Sequence, residues 1–398
     1  RGSGHHSMVS THLFEQARDV VLEHLGLSPR KHVVIFATPR TADTLTAQID
    51  PGRCVAASSR GIGLPLGVRA LAVERRALPK GPPSLTGGGT ARLVGTDWVM
   101  WAAAPGRFEA GTPAIVNVIA FARALVLRRQ FGSHAFEAPA AAARTAAEIL
   151  HRDELDQHRG RALLHELRGT LIGRGVRVPT VDGARRYVNL DNAASTPTFE
   201  PVWDAVRQAW RQPLHIQRDI IRDVRSIVAE AVGAPPAEYD VIFTSNTTEA
   251  INLVAESTVR GAVHGAAPVV VNTLLEHNSN ELPWRSVSGA SPLRLAIDAS
   301  GFVDSGELES LLGAYNERGE HGAARVTLVA VSGASNVLGV FNDLDRIARI
   351  AHRYGARLLV DAAQLVAHRR ISMKGSGIDH LAFSAHKAYA PFGTGVLV

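Results

Sequence analysis

Apolar positions along the chain switch between helical and strand spacing, and the switches mark elements. Residues 12–25 place Leu13, Val20, Val21 and Leu25 at helical intervals and close on Gly26, a C-cap signal. A β-branched run at residues 33–36 predicts a strand. Residues 54–73 mix small and turn residues with a strand-like stretch at 70–73. The Gly/Pro-rich GPPSLTGGGT begins at residue 81 and leads into a further strand. Residues 114–129 predict an apolar helix through Ile115, Val118, Ile119, Ala122 and Leu125. Residues 133–162, rich in alanine and charge, predict a helical linker or lid.

From about residue 163 the pattern is α/β. Helix 215–233 precedes strand 241–244, and a new helix opens at Thr247. Strands at 268–272, 326–332 and 357–361 follow, with a helix at 342–354, and a last strand pair brackets residues 380–398. Strands joined by helical crossovers predict a mainly parallel, doubly wound sheet, with ligands at the carboxyl ends of its strands.

The chain also repeats itself. Residues 17–43 align without gaps on residues 224–250. Identities fall at Arg18/Arg225, Glu23/Glu230, Gly26/Gly233, Pro29/Pro236, Val34/Val241, Ile35/Ile242, Phe36/Phe243 and Thr41/Thr248. A looser match sets residues 56–73 against 383–398, with Pro65 on Pro391, Gly67 on Gly393 and Arg60 near Lys387. The domain division expected is therefore residues 1–7 as an expression-tag remnant, 8–132 as a degenerate partial copy, 133–162 as linker and 163–398 as the main domain.

Composition narrows the function classes. With 45% hydrophobic and 20% charged residues, the chain can bury a sizeable core. No run of about eighteen uncharged apolar residues occurs, which argues against a membrane span. The net charge of +6 comes from scattered arginines without a basic tail or Arg/aromatic stripe, so nucleic-acid binding is not expected. A single cysteine, Cys54, excludes a disulfide framework and a cysteine-rich zinc site, and it reads as a structural thiol. The absence of a signal peptide after Met8 predicts a cytoplasmic location. Only four lysines occur, Lys31, Lys80, Lys374 and Lys387.

Four segments carry chemistry together: LDNAASTP (190–197), TSNTTEAIN (244–252), LVDAAQ (359–364) and DHLAFSAHKAYAPFGTG (379–395). A lysine at a strand end can form a Schiff base with an aldehyde. A buried aspartate can hold a pyridine nitrogen protonated. A helix N-terminus rich in hydroxyls can hold phosphate. A histidine in EHNSNELPW (276–284) can stack on a ring, and Asn336 of SGASNVLG and Gln364 can reach a phenolic oxygen. These requirements are those of pyridoxal 5′-phosphate.

On these motifs the sequence resembles fold-type I pyridoxal-phosphate enzymes of the class V aminotransferase superfamily. The nearest groups are the cysteine desulfurase, selenocysteine lyase and isopenicillin-N-epimerase-like members. The resemblance implies an α/β fold with a mainly parallel doubly wound sheet and a reduced small domain. It implies Lys387 as the Schiff-base lysine, Asp361 against the pyridine nitrogen and His277 over the ring. Thr247, Thr248, Ser384 and His386 would hold the phosphate, Asn246 would also bind the cofactor, and Asn192, Ala193 and Ala194 would border an amino-acid substrate. His352, His368 and His380 fit no motif and read as structural.

Two further pieces of the family pattern lie upstream of where it usually has them: TGGGT at 86–90 and RFEAGTP at 107–113. In the resembled enzymes these reach the cofactor of the other subunit, which implies a homodimer with shared sites and roles for Gly87 to Thr90, Thr112 and Arg107. Two accounts of the order stand: a circularly permuted enzyme, or part of a longer two-copy protein. Arg107, Arg185 and Arg186 are the candidates for a substrate carboxylate. The function expected is Cα deprotonation followed by β-elimination, as in a C–S lyase or desulfurase, or by transamination. The alternatives are an epimerase and an inactive scaffold.

Overall fold

The computed structural model describes residues 4–136, 143–151, 157–260, 267–286 and 291–398. Its N-terminal unit starts with α1 (His5–Leu25), which buries Phe14, Ala17, Val21 and Leu22 at helical spacing. The helix stops at Gly26. A φ of 67° there lets the chain turn back, and the Leu27 amide reaches the Leu22 carbonyl at 2.9 Å. β1 (His32–Ala37) follows, then α2 (Pro39–Thr46), whose first turn is capped by the Thr38 hydroxyl. β2 (Cys54–Ser58) and β3 (Arg69–Glu74) complete an antiparallel sheet in the order β1-β3-β2. β4 (Ala91–Val94) and β5 (Val99–Trp101) form a hairpin, and α3 (Ile115–Phe131) packs Val118, Phe121 and Leu125 against α1 and the sheet.

A buried ion pair runs through this packing. Arg18 donates to both carboxylate oxygens of Glu109 (2.7 and 2.9 Å) and to the Val34 carbonyl (2.7 Å). Glu109 also accepts the Phe36 N–H at 2.8 Å. The pair thus ties α1, β1 and the 107–113 segment together, with hydrogen bonds offsetting the cost of taking both charges out of water.

Between the units lie α4 (Ala146–Leu150), α5 (Gly160–Gly169), the hairpin β6 (Arg177–Thr180) and β7 (Gly183–Arg186), then α6 (Glu200–Trp210) and α7 (Leu214–Ala231). Ala146 and Ile149 of α4 pack on Ile220 of α7. Of the expected helical linker, residues 137–142 and 152–156 lie outside the described residues. The rest holds a 3-10 turn (Ser133–Phe136), α4 and the start of α5.

The C-terminal unit runs β8 (Ile242–Thr244), α8 (Thr247–Arg260), β9 (Ala267–Thr273), α9 (Leu282–Ser286), β10 (Ser291–Leu295), α10 (Ser305–Leu312), β11 (Ala324–Ser332), α11 (Leu344–Arg353), β12 (Arg357–Asp361), α12 (Met373–Ser376), β13 (His380–Ser384) and β14 (Gly395–Leu397). Its strands form one seven-stranded sheet, ordered β10-β9-β11-β12-β13-β14-β8. Neighbours from β10 to β13 are parallel, and β14 is antiparallel to both of its neighbours. Central strands buried on both faces read as unbroken apolar runs, such as Val329, Ala330 and Val331 on β11. The mainly parallel, doubly wound sheet is the one expected.

The repeat has a structural counterpart. In the small sheet Arg69 lies between Ala37 of β1 and Ser58 of β2. In the large sheet Gly395 lies between Thr244 of β8 and Ser384 of β13. The strand order and register of β1-β3-β2 therefore coincide with those of β8-β14-β13, and the sequence alignment carries each residue onto its counterpart. Even the turn after β2 matches: Gly63 has φ 83° where Tyr389, a non-glycine residue, has φ 63°. Carried past Ser58, the register puts Arg60 on His386 and Gly61 on Lys387, one position from the expected match of Arg60 with Lys387.

Residues 5–7, set aside in the sequence as a tag remnant, form the first turn of α1. Ser7 is buried and meets Ser195 (3.2 Å), and His6 stacks on Tyr187 (centroids 4.4 Å apart). Among the described residues no helix is long and apolar enough to cross a membrane, and no cluster of His, Cys, Asp or Glu suits a metal ion.

Candidate active site

A cavity of about 920 Å³ opens at the carboxyl ends of the parallel strands. Three strand ends point chemistry into it: Ser332 closes β11, Asp361 closes β12, and Ser384 closes β13 just before His386 and Lys387. This is where a doubly wound sheet is expected to bind, because strand ends there diverge and leave a crevice.

The floor of the cavity is the start of α8. The Thr247 N–H donates to the Ser384 hydroxyl at 2.8 Å, and the two hydroxyls lie 2.7 Å apart. Thr248 meets Ser279 at 2.8 Å, and Ser279 in turn meets His277 Nδ1 at 2.9 Å. The Ser279 N–H also donates to Nδ1 (3.2 Å), which makes that nitrogen an acceptor and leaves Nε2 as the protonated position. A run of hydroxyls at a helix N-terminus, where the helix dipole favours negative charge, suits a phosphate.

Electrostatics at the site follow from burial. The Asp361 carboxyl is pushed up by desolvation, opposed by the Ala363 N–H (2.9 Å) and by the charges of His277 and Lys387. Burial pushes the Lys387 ammonium down, against the pull of Asp361. His277 is lowered by burial. His386 is lowered to about 4, by burial first and by Lys387 second. These directions favour neutral His277 and His386 and a lysine that gives up its proton more readily than a solvated one.

Of the sequence-predicted residues, Lys387, Asp361, His277, Asn246, Thr247, Thr248, Asn336, Gln364, Ser384, His386, Thr112, Ala193 and Ala194 all line the cavity. Gln364 donates to the Ala193 carbonyl at 2.9 Å, so the 190–197 loop is pinned to the end of β12. Asn192, Arg107, Arg185, Gly87 and Thr90 do not line it, whereas Gly88 and Gly89 do. Asn192 points its amide oxygen at Asn189 Nδ2 (2.8 Å), and Arg107 belongs to the 3-10 turn Gly106–Phe108, whose Phe108 anchors in the N-terminal core. Arg174 and Arg186, beside the β6–β7 hairpin, line the cavity, whereas Arg185 does not. Cys54 sits in β2 and is also absent from the cavity wall.

Sequence reasoning missed three groups. Ser279 links His277 to Thr248, a role that its place inside EHNSNELPW could have suggested. Arg174 carried no motif. Glu276 lies next to His277, partly buried, and its carboxyl is pushed up to about 7 by desolvation, against the lowering effect of the hydrogen bonds it accepts from Thr273, Asn280 and the Ser332 N–H and hydroxyl. TGGGT and the Gly111–Thr112 pair, implied by resemblance as gifts from a second subunit, reach this cavity from the same chain.

The class-V aminotransferase family model matches residues 43–164 and 188–398. A probable cysteine desulfurase of Mycolicibacterium paratuberculosis is 37% identical over 233 residues, covering 55% of this chain and 32% of that protein. A cysteine desulfurase of Dickeya dadantii is 41% identical over 180 residues, covering 44% and 41%. The crystal structure of the cysteine desulfurase CsdA from Escherichia coli is 31% identical, covers 52% of this chain and 53% of that one, and has a TM-score of 0.45. The chain thus spans about half or less of the length of these proteins.

Enzymes of this family use pyridoxal 5′-phosphate, and the residues present fit that group. Both ring nitrogens of His386 are buried without a hydrogen-bond partner, as expected of a side chain shaped to face a bound ligand. Among the described residues the Lys387 amine forms no salt bridge, and the buried Asp361 carboxylate accepts the Ala363 N–H through Oδ1. The cup at Thr247, Thr248 and Ser384 supplies donors for phosphate.

Proposed function

Because this chain belongs to the class-V aminotransferase family, we propose that it is a pyridoxal-phosphate-dependent enzyme acting on an amino-acid substrate, with C–S bond cleavage by β-elimination as its reaction. The observation that carries the reading is the convergence of Lys387, Asp361 and His277 on one cavity above a hydroxyl-lined helix N-terminus. When bound, the cofactor supplies an aldehyde for amines and a ring that stabilises negative charge at the substrate Cα.

The chain's own groups divide the remaining work. Lys387, its proton loosened by burial, serves as nucleophile and then as the base that moves the Cα proton. Asp361 accepts the ring N–H. His277, held by Ser279, packs over the ring and orients it. Thr247, Thr248, Ser384 and His386 anchor the phosphate, and Asn336 and Gln364 flank the phenolic oxygen. Arg174 and Arg186 are the cationic side chains placed to meet the substrate carboxylate. Cys54 does not line the cavity, so elimination releases the sulfur-bearing group without a persulfide on that residue.

An absorbance titration tests this reading. The purified chain with pyridoxal phosphate develops a near-visible band, and Lys387→Ala abolishes it. No band in the wild type, even with excess cofactor, supports an inactive scaffold and sinks the proposal. Product analysis with cysteine, alkyl-cysteines, and alanine plus a keto acid then separates elimination from transamination. Keto-acid-dependent amino transfer without release of a thiol or sulfide overturns the C–S assignment.

A further inference from the structure

We propose that Phe199 and Tyr389 form an aromatic clasp that positions Lys387, by tying the turn that carries the lysine to the wall on the other side of the cavity. The proposal rests on the cofactor reading above.

Lys387 stands on the 3-10 turn Ala385–Ala388, between two fixed points. In front of it, the Ser384 hydroxyl meets the Thr247 N–H and hydroxyl at the start of α8 (2.8 and 2.7 Å). Behind it, Tyr389 closes the turn. Its N–H donates to the Ala385 carbonyl, and the Ala390 N–H reaches the same carbonyl at 3.1 Å. This closure sets φ at 63° on Tyr389, and among the described residues no other non-glycine residue has a positive φ. A bulky residue is strained there, because its Cβ crowds the following carbonyl oxygen.

The N-terminal unit shows that the turn itself does not require a tyrosine. Its counterpart, the 3-10 turn Arg60–Ile62, closes at Gly63 with φ 83°. There the Leu64 N–H returns to the Ser59 carbonyl at 2.9 Å, as Ala390 does to Ala385. A Cβ at Gly63 would meet nothing within 4 Å, so glycine serves that backbone angle and not a shortage of space. The C-terminal unit instead keeps a strained side chain where glycine would fit without strain. Strain of this kind persists where the surroundings hold it in place, and it gathers at functional sites.

What holds Tyr389 is Phe199. The two rings stack with centroids 4.6 Å apart and planes 22° from parallel. Phe199 immediately precedes α6 and bridges Leu171 in antiparallel fashion. On either side of it the Ile172 N–H donates to the Thr198 carbonyl (2.9 Å) and the Glu200 N–H to the Thr170 carbonyl (2.8 Å). Leu171, Ile172 and Thr198 line the cavity, whereas Phe199 and Tyr389 do not. The stack therefore acts through its neighbours. It joins the wall at Leu171 and Thr198 to the lysine turn. Without it the turn keeps its backbone hydrogen bonds but loses the sideways hold that fixes where the Lys387 amine stands.

The test uses the full chain with pyridoxal phosphate. Tyr389→Gly removes the strain and the stack together, so its urea midpoint stays at the wild-type value. Cofactor affinity and kcat each fall about tenfold in this variant, while KM stays within about twofold. Phe199→Leu gives the same split, and Phe199→Tyr, which keeps the stacked ring, restores wild-type values. Circular dichroism of the near-visible band weakens in Tyr389→Gly and Phe199→Leu and is unchanged in Phe199→Tyr. The double variant Tyr389→Gly with Phe199→Leu is no worse than either single one, because both remove the same contact. Wild-type affinity and dichroism in Phe199→Leu, losses that add in the double variant, or a Tyr389→Gly that unfolds at lower urea with kcat unchanged overturns the proposal. A wild type that takes up no cofactor instead overturns the proposed function, and the clasp with it.

Discussion

The small sheet β1-β3-β2 and the edge β8-β14-β13 of the large sheet share order and register, yet Thr247, Thr248 and Ser384 of the second line the candidate active-site cavity while their counterparts in the first do not. The helix after β8 opens with Asn246, Thr247 and Thr248. The helix after β1 opens at the matching positions with Pro39, Arg40 and Thr41. Proline removes an N–H donor, and Arg40 ion-pairs with Glu256 rather than leaving the turn open. The strand that ends at Ser384 and turns into Ala385, His386 and Lys387 is matched by one that ends at Ser58 and turns into Ser59, Arg60 and Gly61. Backbone pairing and apolar alternation preserve a register, whereas the chemistry rests on a few side chains that the pairing does not need.

The units also differ in what covers them. Phe14 and Arg18 of α1 lie 4% and 7% exposed beneath α3 and Glu109, while their counterparts on α7, Ile221 and Arg225, are exposed, Ile221 to 47%. This first part of the helix face is thus core in one unit and surface in the other, while further along Leu22 and its counterpart Ala229 are buried in both.

The largest break in this comparison is at the lysine. Lys387→Ala should lower turnover by about 10⁴-fold or more and remove the cofactor band, whereas Arg60→Lys should leave cofactor stoichiometry unchanged, as read by absorbance and product assay. Next come the paired helix faces. Phe14→Ala should cost about 3–5 kcal/mol in urea unfolding, and Ile221→Ala should stay within about 0.5 kcal/mol. Equal costs would show that α7 is covered in the protein as α1 is.

Arg18→Met should cost about 3–5 kcal/mol by removing the guanidinium that binds both Glu109 carboxylate oxygens, with Arg225→Met within about 0.5 kcal/mol. A double variant, Arg18→Met with Glu109→Met, should recover most of the loss. The smallest effect compares two carboxylates. Glu109 has a guanidinium partner, whereas Glu276 is bonded to neutral groups and is raised to about 7. A raised carboxyl stays protonated in the fold after the unfolded chain has released its proton. Its stabilising contribution is therefore complete below about pH 4.5 and fades as pH rises towards 7. Unfolding at several pH values should find that Glu276→Gln flattens this slope.

Much of the catalytic unit was legible in the sequence. Asp361 and Ser384 follow apolar runs that form strands, so their place at strand ends follows from local pattern. Gly26 as a C-cap and Thr247 as the first residue of α8 are likewise local signals. The cavity wall was less so. Arg107 was expected at the substrate, but Phe108 beside it is drawn into the N-terminal core and the arginine follows. Arg174 lines the cavity from the turn just before β6, and no spacing in the sequence marks it for that place.

The sequence by itself determined which residues could do chemistry, the alternation that makes the sheet, and a repeat between its two ends. These are properties of neighbours within a few residues, set by helical and strand periodicity and by turn chemistry. Tertiary structure decided that the glycine loop and Thr112 meet Thr248, His277 and Asn246 within one chain, and that Asn252 meets the Thr86 backbone. Contacts between residues more than a hundred positions apart depend on how whole units pack, because only packing brings a buried amide to the backbone that completes its hydrogen bonds.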